Sequence, residues 1–186
     1  QAIRVECENA DLSVLLVDQQ IARELKQIGR TALALEQLAS SDDAYGPTHP
    51  IGVTGWPGEF AGFESHLNAM RFSITMYLAD GSALERTCDG RMSLKFDKVQ
   101  VGGAVELRSL DPRGMSGGGL WWYDDQPLPA SAFWSPRNHL KLLGVQSARD
   151  TVKKVLCIES IPRHRAWLDT ALSRLDDHVE SADAAR

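Results

Sequence analysis

Cysteine is scarce in this chain: three residues in 186, Cys7, Cys88 and Cys157, odd in number and widely scattered. No Cys-x-x-Cys or His-x-x-His spacing occurs, and the five histidines (His49, His66, His139, His164, His178) are equally dispersed. The sequence therefore offers no metal centre, and neither a metal nor an organic cofactor is expected. Unpaired thiols of this kind suit buried positions in a reducing, cytoplasmic compartment. Long hydrophobic runs are also missing. None approaches the roughly 20 residues that span a bilayer, and the amino end has no signal-peptide pattern, so no membrane partner is expected. Positive charge is in short supply as well. Lys and Arg number 20 against 25 Asp and Glu, a net charge of -5. No basic stripe forms, which argues against nucleic acid as a partner.

What remains is a chain with 43% hydrophobic residues, enough for one globular domain or two small barrels sharing a core. Asp11 to Val17 reads as a short buried strand entered through an aspartate. From Gln19 to Leu38, Ile21, Leu25, Ile28, Ala32 and Leu35 recur at helical steps and predict a packed helix. The segment 39–50 has linker composition and separates a first unit, 1–38, from a strand-rich region, 51–159. There Ile51 to Gly58 predicts a strand closed by a Pro-Gly turn. Phe72, Ile74, Met76 and Leu78 alternate ahead of Asp80-Gly81, a hairpin signal. Met92, Leu94 and Phe96 alternate next, then Val105 and Leu107. Leu140–Ser147 and Val155–Glu159 are further strands. Ser160 as N-cap and Pro162 in the first turn predict a closing helix over 160–178 with Trp167, Leu168, Leu172 and Leu175 on its apolar face. Residues 179–186 read as a flexible tail.

One stretch names a chemistry. Gly114-Met115-Ser116-Gly117-Gly118-Gly119 sets a serine among glycines, after the turn Asp111-Pro112-Arg113 and before the apolar run Leu120-Trp121-Trp122-Tyr123. A nucleophilic serine needs an exposed hydroxyl and backbone N–H groups aimed at the oxyanion that follows attack. A glycine-rich hairpin turn has the same composition. Gly114-Met115-Ser116-Gly117-Gly118 also satisfies the Gly-x-Ser-x-Gly elbow of α/β-hydrolases, but that elbow runs from a strand directly into a helix. Here an apolar run and a proline-interrupted loop follow, and the alternating strand–helix units of a parallel sheet are missing.

At four places, in order, the chain resembles the trypsin-like (chymotrypsin-fold) serine peptidases, especially divergent bacterial ones. Asp11-Leu12-Ser13-Val14-Leu15 is similar to the catalytic-aspartate strand, and Gly55-Trp56-Pro57-Gly58 to the Gly-x-Pro turn of the second barrel. Gly114-Met115-Ser116-Gly117-Gly118 is similar to the nucleophile loop. Leu143-Gly144-Val145-Gln146-Ser147 is similar to the strand lining the specificity pocket. The resemblance implies a mainly β fold: a chymotrypsin-like double β-barrel with its first barrel incomplete, a helical insertion and a carboxy-terminal helix. It implies that Ser116 is the nucleophile of a serine endopeptidase and that Asp11 orients the base. The N–H groups of Gly114 and Ser116 would form the oxyanion hole. Leu110 and Asp111 would lie at the base of the pocket for the peptide or protein substrate, with Ser147, Ala148 and Arg149 at its wall.

Two departures matter. Met115 stands where many relatives carry a carboxylate that locks the oxyanion hole, and Gly119 replaces a common proline, predicting a more pliable loop. The family order places the histidine upstream of Asp11, where none occurs. None of the five histidines present has the family's context, and His164 reads as solvated surface. The base is therefore expected in an upstream segment or companion chain, with Gln1 an internal position. The alternative is an inactive domain of this fold that binds peptides along a barrel edge.

Overall fold

A computed structural model describes residues 3–17, 19–29, 33–40, 46–56, 62–65, 69–71, 75–87, 91–95, 100–101, 105–106, 113–123, 135 and 139–184. It is mainly β. The strands are β1 (Ile3–Glu6), β2 (Ser13–Leu16), β3 (Pro50–Gly55), β4 (Gly62–Glu64), β5 (Ala69–Arg71), β6 (Thr75–Asp80) and β7 (Leu84–Arg86). They continue as β8 (Met92–Lys95), β9 (Gln100–Val101), β10 (Val105–Glu106), β11 (Gly119–Tyr123), β12 (Leu140–Asp150) and β13 (Val155–Ser160). Two α-helices, α1 (Gln19–Gln27) and α2 (Arg165–Ala184), accompany them. A curled seven-stranded antiparallel sheet in the order β6-β3-β11-β12-β13-β8-β7 forms the body, and β1-β2, β4-β5 and β9-β10 pair separately.

Burial follows the pleat. Ile51 and Val53 of β3, Met92 and Leu94 of β8, Leu120 of β11, Leu143 of β12, and Leu156 and Ile158 of β13 pack into one core. Alternate residues on a strand face opposite sides, so one concave face of this sheet is apolar. Met92 and Leu94 are fully buried as expected, but Ser93 between them is buried too, and Phe96 lies outside the described residues. The alternation expected in β6 is inverted. Register with β3 sets Tyr77 opposite Val53 and Ala79 opposite Ile51. Tyr77 and Ala79 therefore pack on the core, while Met76 and Leu78 are 52% and 67% exposed. Met76 and Leu78 instead line a shallow apolar groove on the outer face with Trp121, Tyr123 and Leu140.

The expected hairpin at Asp80-Gly81 does not form: β6 and β7 lie at opposite edges of the sheet. Asp80 Oδ1 accepts from the Ser82 N–H at 2.9 Å and opens a 3-10 turn, Gly81–Ala83. The turn is tied to an earlier loop, since the Gly81 N–H donates to His49 O and the Ser82 N–H to Pro47 O, both at 2.9 Å. An aspartate that caps its own turn starts a crossover as readily as it tightens a hairpin.

The first helix is shorter than its pattern and its apolar stripe is exposed, contrary to the packed helix expected. It stops at Gln27, where Gly29 adopts a left-handed φ of 78° that ends a helix. Ile21, Leu25 and Ile28 are 51%, 41% and 70% exposed. The segment expected as a linker begins instead as part of the body. Leu38 bridges Leu142, the buried Ala39 donates its N–H to Leu142 O at 3.0 Å, and a 3-10 turn, Leu35–Gln37, precedes them.

At the other end, Ser160 Oγ accepts from the Arg163 N–H at 3.4 Å, and Pro162 opens a 3-10 turn that leads into α2. The helix then runs to Ala184, beyond the end expected at 178, as suits its alanine- and glutamate-bearing tail. Among the described residues no helix is long and apolar enough to cross a membrane.

Candidate functional site

The serine loop hangs between two strands of the sheet. Ser116 is exposed in a turn flanked by Gly114 and Gly117, whose φ values of 87° and 85° lie in the left-handed region closed to most side chains. The residue between Gly114 and Ser116 does the anchoring. Met115 is fully buried in the core, and its carbonyl accepts from the Gly118 N–H at 2.9 Å. On one side the Gly117 N–H donates to Gln146 O and the Gln146 N–H to Gly118 O, both at 2.8 Å. Across the loop lies the end of β3. A Cβ on Gly118 would stand 1.8 Å from Thr54 O, and one on Gly55 would stand 2.8 Å from Met115 Cβ. Glycine is required at both positions by close packing.

Thr54 ties the next turn of chain. Its hydroxyl accepts from Trp121 Nε1 at 2.9 Å and donates to Gly119 O at 3.3 Å. Gly119 is not the pliable hinge expected: it begins β11, and a Cβ there would meet Leu142 Cδ1 and Trp121 Nε1 at 2.8 Å. Because a strand follows the serine, the strand-to-helix elbow of α/β-hydrolases is excluded.

β12 brings Ser147, Ala148 and Arg149 directly after Gln146, the residue bonded to the serine loop. Pairing steps from Gln146–Ile158 to Ala148–Cys157, so Ser147 is the extra residue of a β-bulge and its hydroxyl donates to Cys157 O at 3.4 Å. Bulges re-aim side chains at strand rims and beside binding sites. Ala148 and Arg149 are exposed beyond it. The sequence signalled the loop but not the bulge, since an extra residue leaves no mark in an alternating run. Leu110 and Asp111 lie outside the described residues.

Chemically, the loop offers an exposed hydroxyl and backbone donors. Among the described residues, no hydrogen bond engages the N–H of Gly114 or of Ser116. Backbone donors of this kind are what an anionic oxygen requires. Asp11 lies on the first hairpin. It is exposed at the bend between β1 and β2, and β2 packs against α2. Among the described residues no hydrogen bond or ion pair joins Asp11 to the serine loop or to a histidine.

Three histidines, His49, His139 and His164, have contacts outside the serine loop. His49 Nδ1 accepts from the Gly46 N–H at 2.9 Å, and its ring meets Trp122 edge-on. His139 is buried and stacked on Tyr123. His164, expected at the surface, is 8% exposed because the 3-10 turn that precedes α2 folds it against Glu159. Among the described residues, no group of three His, Cys, Asp or Glu side chains is placed to hold a metal ion. No family model, no curated protein and no solved structure matches the chain.

Proposed function

We propose that the chain is the aspartate-to-carboxy-terminus portion of a serine endopeptidase with a chymotrypsin-like double barrel. The observation that carries this reading is the Ser116 turn, an exposed hydroxyl between two left-handed glycines, braced from below by a buried Met115. In this reading Ser116 Oγ attacks the scissile carbonyl and forms an acyl-enzyme. The N–H groups of Gly114 and Ser116 hold the oxyanion, a contribution worth roughly 3–4 kcal/mol of barrier per donor. Buried Met115 fixes the oxyanion loop by packing, where a carboxylate and a freed amino terminus do so in zymogen-activated relatives. The Ser147 bulge sets the wall against which a substrate side chain lies. The base comes from a histidine on an upstream segment or companion chain, with Asp11 orienting it.

A second reading has its own support: His49 accepts from Gly46, His139 stacks on Tyr123 and His164 faces Glu159. A domain of this fold without a base serves as a peptide-binding module, pairing an extended ligand along a sheet edge. A fluorophosphonate probe separates the two readings, applied to the protein together with its upstream segment or companion chain. Labelling that disappears in Ser116→Ala is the expected result. A folded, complete sample that takes no label refutes the peptidase.

A further inference from the structure

Away from Ser116, the first hairpin and the segment leading into α2 bring a thiol, an imidazole and a carboxylate into line. Cys7 follows β1, where its N–H donates to Leu12 O at 2.9 Å and its carbonyl accepts from the Ala10 N–H at 3.4 Å. The turn thus fixes the direction of the side chain. Cys7 Sγ lies 3.9 Å from His164 Nδ1, a hydrogen-bond contact for the larger sulfur atom. On the far side of the ring, His164 Nε2 lies 3.4 Å from Glu159 Oε2. Glu159 is 1% exposed, and its other oxygen is 2.8 Å from Arg91 Nε, a cation that keeps the buried carboxylate in place. Among the described residues neither His164 Nε2 nor the Glu159 carboxylate has a hydrogen-bond partner, so the carboxylate acts on the ring by charge and proximity. A nucleophile beside a base that faces a third, charged group is the arrangement that activates weak nucleophiles.

Cys7 is half-buried and in no disulfide, so its side chain keeps contact with solvent. Cys157 gives an internal comparison. It is also half-buried and unpaired, but among the described residues no hydrogen bond reaches its sulfur.

We propose that Cys7 is a peroxide-reactive thiol, with His164 as its base and Glu159 as the residue that positions His164. The oxidant is hydrogen peroxide. His164 Nδ1 takes the thiol proton as the sulfur attacks one peroxide oxygen. The S–O bond forms, the O–O bond breaks, and the departing hydroxide recovers the proton from the imidazolium and leaves as water. Sulfur is oxidised to the sulfenic acid and one peroxide is reduced. The product sits between the hairpin and the segment entering α2, so this oxidation is felt where the two meet. The proposal does not depend on the peptidase reading.

The experiment treats the full chain with sub-stoichiometric hydrogen peroxide, traps sulfenic acid with dimedone and reads each cysteine by peptide mass. Cys7 is expected to react at least roughly tenfold faster than Cys157, the scale of a positioned general base. His164→Asn is expected to bring the Cys7 rate down to that of Cys157, which itself does not change. Glu159→Gln gives an intermediate rate and alters the pH profile of Cys7 but not that of Cys157. Equal rates at the two cysteines in the unaltered protein overturn the proposal, as does an undiminished Cys7 rate in a folded His164→Asn. Should that variant fail to fold, the comparison within the unaltered chain decides alone.

Discussion

Replacing Gly118 by alanine tests whether the serine loop is held by backbone packing. The added Cβ would stand 1.8 Å from Thr54 O and 2.9 Å from Met115 O, and both neighbours are main chain. No rotamer change relieves such a contact. An ordinary carbon–oxygen approach is about 3.3 Å, so loop and strand must part by about 1.5 Å. Thr54 cannot yield cheaply, because β3 is held between β6 and β11. The loop moves instead, and two hydrogen bonds go with it: Gly118 N–H to Met115 O at 2.9 Å and Gln146 N–H to Gly118 O at 2.8 Å. Each is worth about 1 kcal/mol net. Overpacking adds about 1–3 kcal/mol. The expected loss is therefore about 3–5 kcal/mol, read as a shift of the urea midpoint at constant slope. The control is one residue away. Gly117→Ala meets nothing within 4 Å and bears only the strain of its φ of 85°. That strain costs about 1–2 kcal/mol. Two adjacent glycines of one motif should thus differ by about 1 kcal/mol or more. Gly118→Ala and Gly117→Ala within about 0.5 kcal/mol of each other would refute the packing argument.

Three further outcomes follow from the same packing. Gly55→Ala should cost about 1–3 kcal/mol in equilibrium unfolding, and Met115→Ala should not rescue it, because the clash is with Met115 Cβ at 2.8 Å and Cα at 3.1 Å. Thr54→Val should cost about 1–2 kcal/mol and change the tryptophan fluorescence, since it orphans the Trp121 N–H that Thr54 now accepts at 2.9 Å. Asp80→Ala should cost about 1 kcal/mol by thermal unfolding, through loss of the bond that starts the crossover turn.

The sequence was readable where one local rule decides the outcome. Met92 and Leu94 alternate and are buried, and the Pro162 signal opens the final helical segment. It misled where partners decide. In β6 the pairing of Tyr77 with Val53 turns Met76 and Leu78 outward, although their alternation alone reads as a core face. In and just after α1 the stripe Ile21, Leu25 and Ile28 has the helical period but no described surface to pack on. The site divides the same way. A serine among glycines is a local signal, and the loop carries the left-handed backbone that signal requires. The Ser147 bulge and the turn of His164 towards Glu159 are set by strand pairing and helix entry, which spacing does not encode.

The contact of Gly55 with Met115 reaches beyond stability. A residue sixty positions away from the serine loop in sequence holds no side chain because the Cβ of Met115 in that loop occupies the space. The constraint runs one way, from position 115 to position 55. Any change at 115 that keeps a Cβ leaves 55 confined to glycine, so lineages free to vary one remain bound at the other. In a set of descendants, glycine at 55 would persist while 115 varied, and that fixed glycine would mark the loop's footing even where the serine itself had been lost.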